Sequence, residues 1–240
     1  MSCEGPKYFG VDAAVLWRAN QYMPDFDSLR QNMVKSQLRT NKVTDERILL
    51  AMGKIPRESF APARLAELAY IDEDIPIGSG RSMLEPMIFA RMVQATNLDE
   101  NDVVLDVASG AGYSASILGC IARVVVALES DADLAKKASS KMTDLGIDNV
   151  VVEEGPIELG WEEQAPYDVI IVNGACGDIP KPLFEQLSDG GRLCAVTTGE
   201  TGVGSAFLWI KHNANISCRP LFDANIPSLP EFEKRVGFNF

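Results

Sequence analysis

From residue 102 onward, short β-branched apolar runs alternate with stretches of helical spacing. "DVVLDVA" (102–108) and "RVVVALE" (123–129) have the composition of strands buried on both faces. "NVVVEE" (149–154) and "YDVIIVNGA" (167–175) repeat the pattern. Between them, "YSASILGCIA" has helical spacing. "DADLAKKASSKMTDLG" (131–146) is amphipathic, opens on acids and closes on glycine, as helices do. "PKPLFEQLSDGG" (180–191) predicts a short helix with proline near its start and a Gly-Gly stop. "RLCAVTT", "AFLWIK" and "ISCRPLF" then predict strands, with no clear helix between the last two.

Strand–helix alternation of this kind predicts an α/β fold, a doubly wound and mostly parallel sheet. The consecutive strands at the end predict an antiparallel C-terminal edge. Ahead of the sheet, residues 27–96 predict a helical N-terminal lobe, with "DSLRQNMVKSQLR", "TDERILLAM" and "PMIFARMVQAT" as its helices. No internal repeat or low-complexity linker divides the chain. The expected organisation is a flexible extension over residues 1–22, with Met23 as a candidate start, and one domain over 23–240.

Composition narrows the partners. A net charge of −12 argues against a nucleic-acid backbone as partner, and no Lys/Arg run exceeds a pair. No apolar run reaches the roughly 20 residues of a membrane-spanning helix, and the first 22 residues lack the layout of a signal peptide. The five cysteines, Cys3, Cys120, Cys176, Cys194 and Cys218, are odd in number and never in CxxC spacing. With His212 the single histidine, a Cys/His metal site lacks material, and no metal is expected. Reduced thiols in the cytoplasm are the expectation. Trp161, Tyr167, Phe184 and the Phe207/Trp209 pair read as core rather than as a stacking platform. Oligomeric state leaves no mark in the sequence.

Candidate chemistry concentrates in "VLDVASGAGYSAS" (104–116), a strand, a glycine-rich turn and a helix start. In open α/β sheets such a turn lies where ligands bind, and its glycines let a backbone approach closely. Counted from Gly110, "GAGYSA" is a permitted variant of the dinucleotide fingerprint, so a nicotinamide cofactor stays open. Asp106 before the turn is foreign to that fingerprint. The pattern D-x-A-x-G-x-G instead resembles the first motif of S-adenosyl-L-methionine (SAM) methyltransferases, usually written with glycine where Ala108 stands. In that class the acid orients the loop and the amino-acid end of the cofactor. Glu129 closes the next strand, 23 positions after Asp106. A carboxylate there can accept both hydroxyls of a ribose.

Beyond the loop, "MVKSQLRTNKVTDERILLAMGKIPRESFAP" (33–62), "AYIDEDIPIGSGRSMLEP" (69–86), "APYDVIIVNGA" (165–175) and "LFEQLSDGGRL" (183–193) carry a resemblance. The chain resembles protein-L-isoaspartate O-methyltransferases, especially an alphaproteobacterial branch, from about Asp25 to the C-terminus. The resemblance implies a Rossmann-like sheet and methyl transfer from SAM to the α-carboxylate of L-isoaspartyl residues in damaged proteins or peptides, leaving S-adenosyl-L-homocysteine. It implies a cofactor held by Asp106, Ala108, Ser109, Gly110, Gly112, Tyr113, Glu129, Ser130, Pro156, Ile157 and Asn173. A carboxylate acceptor is already ionised near neutral pH and needs no general base, so His212 is not required. Alignment of the two reactants can supply about 7–11 kcal/mol.

Two stretches depart from the family. Its substrate loop T-I-S-Q-P is here Ser82-Met83-Leu84-Glu85-Pro86. Leu84 replaces a serine that lies beside the methyl group, and Glu85 replaces a glutamine. Leu84 donates no hydrogen bond, and an ionised Glu85 repels a carboxylate. Ser82 and Glu85 are left as candidate catalytic residues, with Arg81 able to compensate by pairing with an acid. In "EEGPIELG" (153–160), Pro156 stands where the family has the aspartate that accepts from the adenine amine, a loss of ~1 kcal/mol that Glu154 or a carbonyl could offset. These departures keep two alternatives open: a methyltransferase for another acceptor, and a SAM-binding protein without turnover.

Overall fold

The β-branched runs pair into a seven-stranded sheet. The computed structural model describes residues 24–199 and 203–232; the expected extension 1–22 and the last eight residues lie outside them. The strands are β3 (Val103–Val107), β4 (Val124–Glu129), β5 (Val150–Glu154), β6 (Tyr167–Cys176), β7 (Leu187–Thr198), β8 (Gly204–His212) and β9 (Asn215–Asp223). Their spatial order is β5-β4-β3-β6-β7-β8-β9. The pairings from β5 to β7 are parallel, and β7-β8 and β8-β9 are antiparallel, giving the expected edge. The winding reverses between β3 and β6. A crevice therefore opens at their carboxyl ends.

Alternation along β3 sends Val104 to one face of the sheet and Leu105 and Val107 to the other, each into its own apolar cluster. Burial on both faces is what a run without polar alternation requires. The first cluster packs under α1 (Phe26–Met33), α2 (Glu46–Lys54) and α3 (Pro86–Thr96) of the N-terminal lobe. The crossover helices are α4 (Tyr113–Gly119) and α5 (Ala132–Leu145). Helix α5 starts where the sequence places it: the Asp131 side chain accepts from the Leu134 N–H at 2.9 Å, and Gly146 closes the helix at φ 64°.

The Gly-Gly pair at 190–191 is not a helix stop. The helix α6 is only Lys181–Glu185, and Leu187 already pairs with Tyr167 in β6. From Tyr167 to Val169 in β6, the partner strand advances from Leu187 to Arg192, so Ser188–Gly191 bulge out with Gly190 at φ 80°. Burial of Leu187 against the sheet outweighs the helical pattern. The first predicted helix also ends early. After Met33 the backbone widens into a π turn (Val34–Leu38) and then tightens over Arg39–Asn41, and the Thr40 hydroxyl donates to the Ser36 carbonyl at 2.7 Å.

A hairpin went unread in "IPIGSGRSM". Strand β1 (Ile75–Gly78) pairs with β2 (Arg81–Met83), turning through Ser79 and Gly80 at positive φ. A second addition is the segment 227–232, which runs beside the end of β6. The Ala175 N–H donates to the Pro227 carbonyl and the Leu229 N–H to the Ala175 carbonyl, both at 2.9 Å. Leu229 lies so close to Gly174 that a Cβ there would sit 2.5 Å from its Cγ. Hairpin and segment both flank the crevice. Leu105→Ala, in the middle of the sheet, is expected to cost about 2–5 kcal/mol of stability, read as a lower urea midpoint at unchanged slope.

Candidate cofactor and acceptor site

The turn after β3 is built from left-handed residues: Ala108 (φ 57°), Gly110 (φ 57°) and Gly112 (φ 94°). Ala108 holds this conformation with a Cβ, at a strain of about 1–2 kcal/mol. Gly110 is needed for space as well, because a Cβ would lie 2.5 Å from Ile77 Cδ1 of the hairpin. The Ser109 N–H donates to the Leu128 carbonyl, and the Gly112 N–H to the Ser109 carbonyl, so the turn is anchored to β4 and to itself.

Two buried carboxylates fix the turn. Asp106 accepts from Ser114 Oγ at 2.6 Å and from Asn173 Nδ2 at 2.7 Å, and Asn173 also donates to the Val107 carbonyl at 3.0 Å. Asp106 thus orients the loop by tying together β3, α4 and β6. Burial outweighs these two donors and pushes its carboxyl up to about 7. Glu129, fully buried, accepts from the backbone N–H groups of Gly110 (2.9 Å), Ser130 (2.8 Å) and Asp131 (3.1 Å). Two side chains join them: Arg81 of β2, whose Nε lies 3.1 and 3.2 Å from its two oxygens, and Ser130, whose Oγ lies 3.5 Å from Oε1.

Opposite the turn stands the predicted substrate segment. A small, partly open cavity of about 20 Å³ brings Ser82 and Leu84 against Ser109, Tyr113 and Asn173. Ser109 Oγ and the Tyr113 hydroxyl are buried and have no hydrogen-bond partner. Ser109 and Tyr113 line the cavity, and Tyr113 also interacts with the Arg57 guanidinium; with the glycine turn and the strand-end acid these residues suit the amino-acid end of a SAM-like cofactor. Leu84 is buried and makes an apolar wall at the position of the family serine. Arg57, from "IPRESFAP", is fully buried, donates to the Leu84 carbonyl at 2.8 Å and lies 4.8 Å from the centre of the Tyr113 ring. Nothing in the spacing of "IPRESFAP" marks this arginine as a site residue, since its partners lie 12 and 27 residues away.

The remaining predicted residues lie apart from that cavity. Pro156 is exposed and opens the turn Ile157–Leu159, with Ile157 buried beneath it. Ser130 is exposed and takes a 2.7 Å hydrogen bond from Arg81 Nη2. Glu85 does not line the cavity. It precedes α3, and its N–H donates to Asp74 Oδ1 at 2.9 Å. Burial, then the charges of Asp72, Asp74 and Glu73, push its carboxyl up to about 7. His212 sits exposed at the end of β8.

The Glu85 environment has a consequence for stability. Its ordinary value is 4.5. As pH rises from 4.5 to about 7 the unfolded chain releases this proton first, so the fold loses stability over that window and does not regain it above. Glu85→Gln is expected to melt above the wild type at pH 8 and together with it at pH 4. Equal melting temperatures at pH 8 would contradict this account.

The family model described as protein-L-isoaspartate(D-aspartate) O-methyltransferase matches residues 29–219. A protein-L-isoaspartate O-methyltransferase 2 from Anaeromyxobacter sp. is 42% identical over 164 residues, 68% of each chain. A protein-L-isoaspartate O-methyltransferase from Synechococcus sp. is 43% identical over 176 residues, 73% of this chain and 72% of the other. Among solved structures, a protein-L-isoaspartate O-methyltransferase superposes with a TM-score of 0.72 at 24% identity, covering 83% of this chain and 65% of its own length. A Plasmodium falciparum structure of that description, in complex with S-adenosyl-L-homocysteine, gives 0.71 at 21% identity over 87% of this chain and 100% of the other. The family match, the relatives and the sheet order agree: this chain belongs to the protein-L-isoaspartate O-methyltransferase family.

Proposed function

We propose that this chain is a SAM-dependent methyltransferase that methylates the α-carboxylate of L-isoaspartyl residues in damaged proteins. The observation that carries the reading is the shared cavity. It joins the glycine turn, expected to hold the cofactor, to the substrate segment at Ser82 and Leu84. When bound, SAM supplies an electrophilic methyl group on a positively charged sulfur.

The chain's own residues bind, orient and exclude water. Asp106, Asn173 and Ser114 keep the turn in shape, and Ser109 and Tyr113 bring buried hydroxyls to the cavity wall. Phe89, Met83 and Leu84 are buried and line the same space, which lowers the local dielectric around a charged acceptor. No side chain need take a proton, because the acceptor arrives ionised. Ser82 is the donor on the acceptor side, standing opposite Pro76 in the hairpin. Glu85 stands outside the cavity and lines no part of it.

Leu84 favours a second reading, methyl transfer to an acceptor other than an isoaspartyl carboxylate. The four described cysteines, Cys120, Cys176, Cys194 and Cys218, are unpaired, which supports a reducing, cytoplasmic setting. Among the described residues no helix is long and apolar enough to cross a membrane. Placement in an alphaproteobacterial branch is proposed from the sequence resemblance alone.

The test is transfer of labelled methyl from SAM to a synthetic isoaspartyl peptide, with the aspartyl peptide as control. Transfer to the isoaspartyl peptide alone is expected. No transfer by protein that binds S-adenosyl-L-homocysteine would move the assignment to the second reading. Leu84→Ser restores a donor to a charged acceptor, so its kcat/KM for the isoaspartyl peptide is expected to rise roughly 10- to 100-fold.

A further inference from the structure

Glu129 has no lone pair to spare. Its Oε1 accepts from the Ser130 and Asp131 N–H groups, from Arg81 and, at 3.5 Å, from Ser130 Oγ, and its Oε2 from the Gly110 N–H and from Arg81. A carboxylate offers about four acceptor sites. The two hydroxyls of a ribose therefore reach Glu129 only where the guanidinium now stands.

Arg81 is held from its other side as well. Its Nη2 and Nη1 form a fork on Glu231, at 2.6 and 3.2 Å, and Nη2 also donates to Ser130 Oγ. Glu231 belongs to the turn Pro230–Phe232, whose chain runs along the end of β6. Arg81 thus joins the β1-β2 hairpin, the strand-end acid and the C-terminal segment at one point. Ile77 against Gly110 and Leu229 against Gly174 close the same crevice by packing.

We propose that Arg81 is a built-in competitor for the cofactor ribose, and so the residue that sets cofactor affinity in this chain. The proposal rests on the SAM reading of the site. Before the cofactor binds, the guanidinium occupies the Glu129 carboxylate. Binding moves it outward together with Glu231, and the ribose hydroxyls take its place. The exchange leaves no charge orphaned. Glu129 keeps three backbone donors. Arg81 keeps Glu231, whose side chain is 28% exposed while those of Arg81 and Glu129 are 2% and 0%. The pair moves toward water as a neutral unit. A site closed in most molecules binds with an apparent Kd raised by the reciprocal of its open fraction.

The experiment measures binding, not turnover. S-adenosyl-L-homocysteine, adenosine and 2′,3′-dideoxyadenosine are titrated by calorimetry into wild type, Arg81→Gln, Arg81→Met and Arg81→Lys. Expected is a Kd for S-adenosyl-L-homocysteine and adenosine about tenfold lower in the Gln and Met variants, little change in Lys, and no gain for the dideoxy compound, which lacks the diol. Two neutral replacements guard against one that folds poorly, checked by its melting temperature. Unchanged or weaker binding by both folded variants overturns the competition and leaves the SAM reading standing. An equal gain for the dideoxy compound also overturns it, since the ribose would not be the competitor. Failure of every folded form to bind S-adenosyl-L-homocysteine overturns both.

Discussion

The site depends on one buried negative charge. Glu129 sits at zero exposure at the end of β4, and three backbone N–H groups converge on it from the glycine turn and from the start of α5. Each of those groups would otherwise lack an intrahelical or ladder partner. The carboxylate therefore organises the backbone around it: the Gly110 amide is aimed at it, and Ser130 and Asp131 turn the chain into the helix. Arg81 completes its coordination from a different part of the sequence. A charge buried without such partners would cost several kcal/mol.

Asp106 shows the other outcome of burial. Among the described residues it has two side-chain donors, none from the backbone and no cation hydrogen-bonded to it, and burial raises its carboxyl to about 7. Its contribution is geometric. Ser114 and Asn173 are held at fixed positions on α4 and β6, and the strand between them cannot slide. Glu129 is where we propose that a ligand diol is recognised, and Asp106 is the frame behind it.

The acceptor side is built on different physics. Leu84 and Met83 are apolar and share the cavity wall with Ser109 and Tyr113, and the fully buried Arg57 guanidinium lies 4.8 Å from the centre of the Tyr113 ring. Arg57 is bound to carbonyls at Ala69 and Leu84, so it fixes the substrate segment through its backbone rather than its side chains. The acids of "IDED" and Glu85 gather on the far side of that segment, outside the cavity. Methyl transfer to a carboxylate needs alignment and dryness more than proton chemistry, and a buried apolar wall suits the second of these.

The local sequence determined the strands, most of the helices and the turn. β-branched runs as in β3 and β4 have few alternatives, Asp131 and Gly146 cap α5 through contacts within a few residues, and Gly110 and Gly112 permit backbone angles that other residues resist. For the same reason the loop and the strand-end acids were legible as a candidate site. Tertiary structure decided what those residues touch. Leu187 joined the sheet because β6 offered it a buried partner, against its helical pattern. The hairpin that carries Arg81 and Ser82 closed over the turn through packing on Gly110. Arg81 meets Glu129 across 48 residues and Glu231 across 150, and Arg57 reaches Leu84 across 27. Such pairings leave no periodic trace in the sequence, because they depend on where distant elements come to rest once the apolar faces are buried.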